Sequence, residues 1–235
     1  MGLMYIKDKP LNYYKILKKL DELPGAGKFL LLNDLKAFAK GRTNFIFFCN
    51  YFLGIKFNDF QLRVANSIID KETGEVNFKN LVTAGNRTGK TVLVACLHIW
   101  FAHYKIGQEA GEGWEVFKYR TFNLSPVSRQ AKEAIRYIQE ILTSSFTWTE
   151  QVDNKEKRFK NECLLSGYYF GKFGFLEGVN HNLGEVRYVN NSSTYCLSTG
   201  EDQGASFQGL SCGFLTYDEA VQSLHLKEEL PARIF

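Results

Sequence analysis

Residues 80–100 read NLVTAGNRTGKTVLVACLHIW, and this stretch decides the fold that the sequence predicts. It opens with a short apolar run, passes through a glycine-bearing turn that ends in Gly89-Lys90-Thr91, and continues as a long apolar segment. The first run favours a β-strand and the second an α-helix. Backbone N–H groups at a helix N-terminus that follows such a turn bind phosphate, so the stretch predicts a phosphate cradle.

The octapeptide AGNRTGKT has the spacing G-x-x-x-x-G-K-[ST], except that alanine replaces the first glycine. Gly89 lets the backbone approach the β-phosphate, Lys90 brings a charge to the β- and γ-phosphates, and Thr91 offers a hydroxyl to Mg²⁺. The alternative is a chance match on a loop before a core helix. The residues predicted to bind ATP are Ala84, Gly85, Asn86, Arg87, Thr88, Gly89, Lys90 and Thr91.

Two adjacent acids follow a second apolar run, CGFLTYDEA at Cys212–Ala220. At the carboxyl end of a strand, Asp218 is placed to hold Mg²⁺ together with Thr91, directly or through water. Glu219 is placed to orient and deprotonate the attacking water, and Glu219, Lys90 and Arg87 are the predicted catalytic residues. The alternative is a surface Asp-Glu pair after a core strand.

An aromatic and amide cluster lies about thirty residues before Lys90, at Phe57, Phe60 and Gln61. A glutamine carboxamide can both accept from the N6 group and donate to the N7 atom of adenine, and a nearby aromatic ring can stack on the base. Gln61 is therefore a candidate adenine contact; alternatively it is an exposed helix residue.

Alternating strand and helix patterns after residue 78 predict a parallel sheet wrapped by helices. A helix is expected after an Asn58 or Asp59 cap, another after Pro126, and a hairpin across Asn190-Asn191. The aromatic run 43–57 fits a buried helix or a strand equally well, and residues 146–185 form an insertion that the pattern does not assign. His98 is expected to be a packed or partly exposed helix residue.

The composition is that of a folded protein: of 235 residues, 45% are hydrophobic and 23% charged, with a net charge of +4. This charge permits a polyanionic partner without requiring one. The five cysteines show no C-x-x-C spacing, which favours neither a zinc site nor a disulfide framework and fits a reducing compartment. No segment has the pattern of a signal peptide or a membrane span, so a soluble intracellular protein with no membrane partner is expected.

Four motifs, taken in order, resemble the ATPase domain of phage large terminase subunits, the motors that package viral DNA. They are the Phe57–Gln61 element, the Ala84–Thr91 loop with its arginine, SPVSRQA after the second strand, and SFQGLSCGFLTYDEA at Ser206–Ala220. The resemblance covers roughly Lys56 to the end. It implies a P-loop NTPase fold of the RecA-like type, with an additional strand, a catalytic glutamate and a mostly parallel sheet. The implied domains are an N-terminal helical segment over 1–55 packed on an ATPase core over 56–235, with no nuclease domain.

The resemblance also implies an ATPase that translocates double-stranded DNA into a procapsid in the cytoplasm of the infected host cell. Its partners would be duplex DNA, the portal, the small terminase subunit and further copies of the chain in a ring. The chain departs from the family at two places. Its loop arginine is Arg87, where many members carry it at the position of Asn86, and Gln208 occupies the place of an arginine that reaches a neighbouring site. Arg120 and Arg129 are possible substitutes.

Other interpretations stay open at this point. The chain is expected to be a fragment that ends inside or just after the ATPase core. A superfamily 2 helicase-type fragment is one alternative, since SPVSRQA and Asp218-Glu219-Ala220 loosely match helicase signatures. A non-translocating nucleotide switch is another, although such a protein does not need Glu219. Candidate DNA contacts are the four cations of KEKRFK at Lys155–Lys160; the alternative is that this charge run is a solvated face.

Overall fold

The structure is a computed structural model that describes residues 36–70, 75–77, 80, 82, 88–108, 118–166, 174–199 and 211–218. The chain divides into two compact units. The first comprises residues 1–93 and 140–176, and the second comprises residues 94–139 and 177–235. Of the predicted helical segment over 1–55, only residues 36–55 are described; the boundary at 55 stays a prediction. Within the described ranges, no helix is both long enough and apolar enough to cross a membrane.

The first unit begins with helices at residues 36–43, at Phe45–Phe52 (α1) and at Asp59–Ile68 (α2). The run that the sequence left undecided is therefore the helix α1, capped by Asn44, whose side chain accepts from the Phe47 N–H at 2.8 Å. One α1 face, including Phe48 and Phe52, is fully buried. The chain then turns at Gly54, whose φ of +64° is in the left-handed region, and a Cβ there would lie 2.6 Å from the backbone N and O of Glu162. Only glycine fits this crossing without strain.

The same unit carries a two-stranded antiparallel hairpin, β2 (Thr147–Val152) and β3 (Lys155–Lys160). Its turn residues Asp153 and Asn154 have φ values of +54° and +59°. This is the conformation of a type I′ turn, which fits the right-handed twist of a tight hairpin. A short 3-10 helix at Leu164–Ser166 follows. The hairpin occupies part of the stretch that the sequence left unassigned.

Two helices of 15 residues each were predicted correctly: α3 at Lys90–Tyr104 and α4 at Ser128–Leu142. Helix α3 is buried almost all round from Ala95 onward, which agrees with its nearly continuous apolar sequence. Helix α4 instead buries one stripe that includes Ala131, Ile135 and Ile138.

The second unit contains a five-stranded sheet with the order β4-β5-β6-β1-β7. The strands are β1 (Tyr119–Ser125), β4 (Leu176–Asn180), β5 (Glu185–Tyr188), β6 (Ser192–Ser198) and β7 (Phe214–Tyr217). Strand β1 lies between β6 and β7 and pairs with both in parallel, whereas β5 pairs with β6 antiparallel, with Val186 opposite Thr194. The predicted hairpin across Asn190-Asn191 is thereby confirmed.

The predicted fold class, a P-loop NTPase with a mostly parallel sheet, is wrong for this structure, because the sheet is mixed. The connection from Tyr188 to Ser192 is too short for the crossover that parallel neighbours need, so β5 must run antiparallel to β6. The strand predicted before the phosphate loop, over 78–84, lies mostly outside the described residues. Of its residues 78–84 only Asn80 and Val82 are described, and neither is in a strand.

Candidate active site

The described end of the predicted phosphate loop, Thr88–Thr91, lies in the first unit and leads directly into α3. Gly89 has a φ of +84°, and α3 begins at the next residue, Lys90. The Gly89 carbonyl accepts the Leu93 N–H at 3.2 Å, the first hydrogen bond of the helix. Since residues with a side chain rarely adopt this φ, the conformation of the turn itself requires the glycine of the Gly-Lys-Thr triplet.

The loop is held by the first turn of α2. The Asn58 side chain accepts the Gln61 N–H at 2.9 Å, and the Gln61 carboxamide oxygen accepts the Asn58 N–H at 3.0 Å. This reciprocal capping box fixes both side chains. Their remaining amide groups reach the loop: Asn58 Nδ2 donates to the Thr88 carbonyl at 3.3 Å and Gln61 Nε2 donates to the Gly89 carbonyl at 2.9 Å. The sequence-predicted Gln61 and the phosphate loop are thus brought together.

The close approach leaves no room for a larger residue at position 89. A Cβ on Gly89 would lie 2.6 Å from Gln61 Nε2, which is closer than such atoms come. Gln61 is only 6% exposed, so it is not the exposed helix residue of the alternative interpretation. Its carboxamide keeps one N–H and one oxygen lone pair beyond the bonds above. The adenine contact stays a prediction.

The other predicted loop residues, Ala84 to Arg87, lie outside the described residues, as do Glu219 and Gln208. Lys90 and Thr91 are half-buried in the first turn of α3. Phe57 packs against Phe45 of α1, with ring centroids 5.7 Å apart. This packing was not predicted from the sequence.

The predicted metal acid, Asp218, follows β7 in the second unit and is half-buried. Its N–H donates to the Leu124 carbonyl at 2.8 Å, which extends the parallel pairing with β1 by one residue. Because β1, β6 and β7 run in parallel, their carboxyl ends meet at one edge of the sheet. There the hydroxyls of Thr199 and Tyr217 are 2.6 Å apart. Ligands of open α/β sheets bind outside such carboxyl ends, so Asp218 stands at a chemically suitable position.

A buried hydrogen-bond chain, which the sequence did not suggest, joins α3 to this sheet within the second unit. His98 is fully buried, with Nδ1 2.9 Å from the Thr121 hydroxyl and Nε2 2.7 Å from the Thr216 hydroxyl. The Thr216 hydroxyl donates to Asn123 Oδ1 at 2.7 Å, so its oxygen must accept from His98. His98 therefore carries its proton on Nε2 and accepts at Nδ1 from Thr121. Burial lowers the His98 pKa from 6.5 to about 3, which keeps the ring neutral.

The chain continues across the sheet on the other side of Thr121. The Thr121 and Thr194 hydroxyls are 2.8 Å apart, and the Tyr188 hydroxyl is 2.9 Å from that of Thr194. Since the Thr121 proton is engaged by His98, Thr194 donates to Thr121 and Tyr188 donates to Thr194. The five donors point their protons one way, toward the Asn123 oxygen, and the chain ties α3 to β7 two residues before Asp218. Polar residues at alternate positions of β1, Thr121, Asn123 and Ser125, are the sequence signal that could have indicated this inward polar row.

The two arginines named as substitutes differ in their surroundings. Arg120, on β1, donates to the Ser211 hydroxyl at 3.3 Å, whereas Arg129 is exposed in the first turn of α4. No structural feature selects either one as a catalytic arginine.

Comparison with known proteins adds no assignment: no family model, no curated protein and no solved structure matches this chain. The site is therefore interpreted from its own residues.

Proposed function

We propose that the chain is the ATP-hydrolysing part of a motor that translocates double-stranded DNA into a viral procapsid. The observation that carries the proposal is the end of the Ala84–Thr91 loop. Gly89 turns in the left-handed region directly before the helix that begins at Lys90, and the loop backbone is held by Asn58 and Gln61. A helix N-terminus behind a glycine turn binds phosphate oxygens through its unpaired N–H groups.

The proposed roles follow from the side-chain chemistry. Lys90 contacts the β- and γ-phosphates, Arg87 assists in neutralising them, and Glu219 orients and deprotonates the attacking water. The Thr91 hydroxyl and the Asp218 carboxylate are hard oxygen donors, each half-buried rather than sealed in the core, and each is a proposed Mg²⁺ ligand. When bound, Mg²⁺ would neutralise charge on the phosphates. Gln61 both braces the loop and is the proposed adenine contact.

The motor part of the proposal rests on the motif resemblance and on the net charge of +4. The proposed partners are duplex DNA, the portal, the small terminase subunit and further copies of the chain in a ring. The proposed location is the cytoplasm of the infected host cell. Helicase-type activity and nucleotide switching are the alternatives that the experiment must separate.

The test measures ATP binding and ATP hydrolysis separately for four proteins: the wild type, Lys90→Ala, Glu219→Gln and the matched control Glu177→Gln. Glu177 is exposed on β4, so its substitution removes an equal charge away from the proposed site. We expect Lys90→Ala to lose ATP binding, and Glu219→Gln to bind ATP but lose hydrolysis. The control should equal the wild type in both assays.

Hydrolysis is then followed against protein concentration, with and without duplex DNA. A rate per subunit that rises with concentration and DNA supports a motor whose sites are completed by neighbouring copies. ATP binding without hydrolysis in the wild type would favour the nucleotide switch. Failure of the wild type to bind ATP would refute the proposed function altogether.

A further inference from the structure

We propose that one face of the β2–β3 hairpin, formed by Thr147, Thr149, Arg158 and Lys160, binds the phosphate backbone of duplex DNA. We call it the polar face. The inference rests on the proposed function, since it assigns the surface by which the motor would hold its DNA. The sequence alone does not separate the four cations of KEKRFK. The structure places two of them on each of two faces with different surroundings.

The strand register determines which side chains share a face. Thr147 lies opposite Lys160 and Thr149 opposite Arg158, so these two cross-strand pairs are adjacent rows of the same face. Lys155 and Lys157 alternate with them and belong to the opposite face, where Lys157 lies directly across from Glu150. Each face therefore carries two cations and one acid, Glu156 on the polar face and Glu150 on the opposite face, and the faces differ in what surrounds the cations.

The opposite face is occupied by aromatic packing. The Trp148 ring stacks between Phe146 and Phe159, with centroid distances of 5.9 Å and 5.8 Å, and all three rings are half-buried. The Trp148 ring N–H also donates to a Glu150 carboxylate oxygen at 2.8 Å. The charged side chains of both faces are exposed, but the polar face, with Thr149, Arg158 and Lys160, carries no aromatic ring.

On the polar face a hydrogen bond orients the Arg158 side chain. The Arg158 Nη2 donates to the Thr147 hydroxyl at 3.1 Å, so the guanidinium leans toward the row that holds Lys160. Among the described residues neither Arg158 nor Lys160 forms an ion pair, although Glu156 lies one row nearer the turn on the same face. An anion placed over these two adjacent rows is attracted by both cations.

The chemistry of the polar face fits a phosphate backbone. Arginine, lysine and threonine hydroxyls are the groups that most often donate to backbone phosphates. Residues two apart on a strand are separated by roughly 6.6 Å, so Arg158 and Lys160 are far enough apart to contact two different phosphates.

The hairpin is fixed at its base, as a surface that holds DNA against force requires. Asn161, directly after β3, is 1% exposed and uses its whole carboxamide. Its oxygen accepts the Phe146 N–H at 3.1 Å, and its NH₂ group donates to the Leu53 and Ile141 carbonyls at 3.0 Å and 2.9 Å. These bonds join the hairpin to the ends of α1 and α4 in the unit that also carries Lys90.

The test compares Arg158→Ala/Lys160→Ala with the matched control Lys155→Ala/Lys157→Ala. Both variants remove two positive charges from the same strand, but from opposite faces. Binding to a fluorescent 40-base-pair duplex is measured by anisotropy from about 50 to 200 mM salt. Each lost phosphate contact reduces the magnitude of the slope of log K against log[salt] by about 0.9. The slope measured for the polar-face variant should therefore be smaller in magnitude than that of the wild type by about 1.8. At 0.1 M salt this corresponds to roughly 60-fold weaker binding.

The control should bind nearly as the wild type does, and circular dichroism checks that both variants are folded. Equal losses of DNA affinity in the two variants would overturn the proposal, because the affinity would then depend on the number of positive charges and not on the face that carries them. Unchanged binding in both would also overturn it, while leaving the proposed function intact. If the wild type itself fails to bind duplex DNA at 50 mM salt, the proposed DNA partner fails and the inference falls with it.

Discussion

The contact between Gln61 and Gly89 makes a quantitative prediction for the candidate site. Gln61→Ala removes two hydrogen bonds, the one from Asn58 N–H and the one to the Gly89 carbonyl. At about 1 kcal/mol for each, we expect the free energy of unfolding to fall by roughly 2 kcal/mol. The side chain is buried, so water replaces these bonds poorly.

Gly89→Ala should cost about 2 to 3 kcal/mol. The left-handed φ of +84° costs a non-glycine residue roughly 1 to 2 kcal/mol. The new Cβ also displaces Gln61 Nε2, which would otherwise lie 2.6 Å away, and so breaks the same hydrogen bond for about 1 kcal/mol more. The double variant loses this bond only once. Its cost should therefore be less than the sum of the single costs by about 1 kcal/mol.

The measurement is urea unfolding of the wild type, the two single variants and the double variant, followed by circular dichroism and by tryptophan fluorescence. The m-values must agree for the free energies to be compared. Additivity within about 0.3 kcal/mol would refute the contact, because independent sites behave in that way. The three variants should lose ATP affinity in parallel if the loop is the phosphate site.

Three further predictions concern stability. Asn161→Ala removes the amide partner of the Leu53 carbonyl and one of two hydrogen bonds at the Ile141 carbonyl and at the Phe146 N–H, which keep the Ser144 N–H and the Glu140 carbonyl as partners. The free energy of unfolding in urea should fall by roughly 2 to 3 kcal/mol, whereas Asn66→Ala at an exposed helix position should change it little. Burial lowers the pKa of both His98 and His103 from 6.5 to about 3, so the unfolded chain binds more protons than the folded one between those values. The free energy of unfolding should then decrease by about 1 kcal/mol per pH unit for each histidine as the pH falls below 6.5. His98→Gln should remove about half of this pH dependence. A free energy of unfolding that does not change with pH in this range would contradict the burial of the two rings. Gly54→Ala should lower the free energy of unfolding by at least about 2 kcal/mol, because φ is +64° and the new Cβ would clash with the backbone of Glu162. A thermal midpoint equal to that of the wild type would show that the backbone at Gly54 does not approach Glu162 this closely.

Local sequence signals predicted several elements correctly. Helix α2 follows from the Asn58 cap, α4 from its period and from Pro126, and the β5–β6 hairpin from Asn190-Asn191. Each signal acts within about four residues, through a cap, an apolar stripe or a tight turn, so the surrounding fold need not be known. The Gly-Lys-Thr turn into α3 belongs with them, since the φ of Gly89 is a local property.

Non-local contacts account for the failures. The run 43–57 could not be assigned because apolar residues on every side suit a buried helix and a buried strand alike. The β2–β3 hairpin was missed because KEKRFK resembles a solvated charged face, although Asp153-Asn154 in the turn was a usable signal. The prediction of a mostly parallel sheet overlooked that a short β5–β6 connection forces one antiparallel pair into the sheet.

By itself the sequence determined the positions of α2, α3 and α4, the turn chemistry at Gly89 and the residues proposed to act on ATP. Only the tertiary structure decided that Gln61 braces the Gly89 carbonyl, that His98 is hydrogen-bonded to Thr216, and that Lys157 and Lys160 lie on opposite faces of one hairpin. The physical reason is the range of the forces involved. Backbone preferences and caps act between near neighbours, whereas hydrogen-bond partners and strand register join residues that become neighbours only when the chain folds.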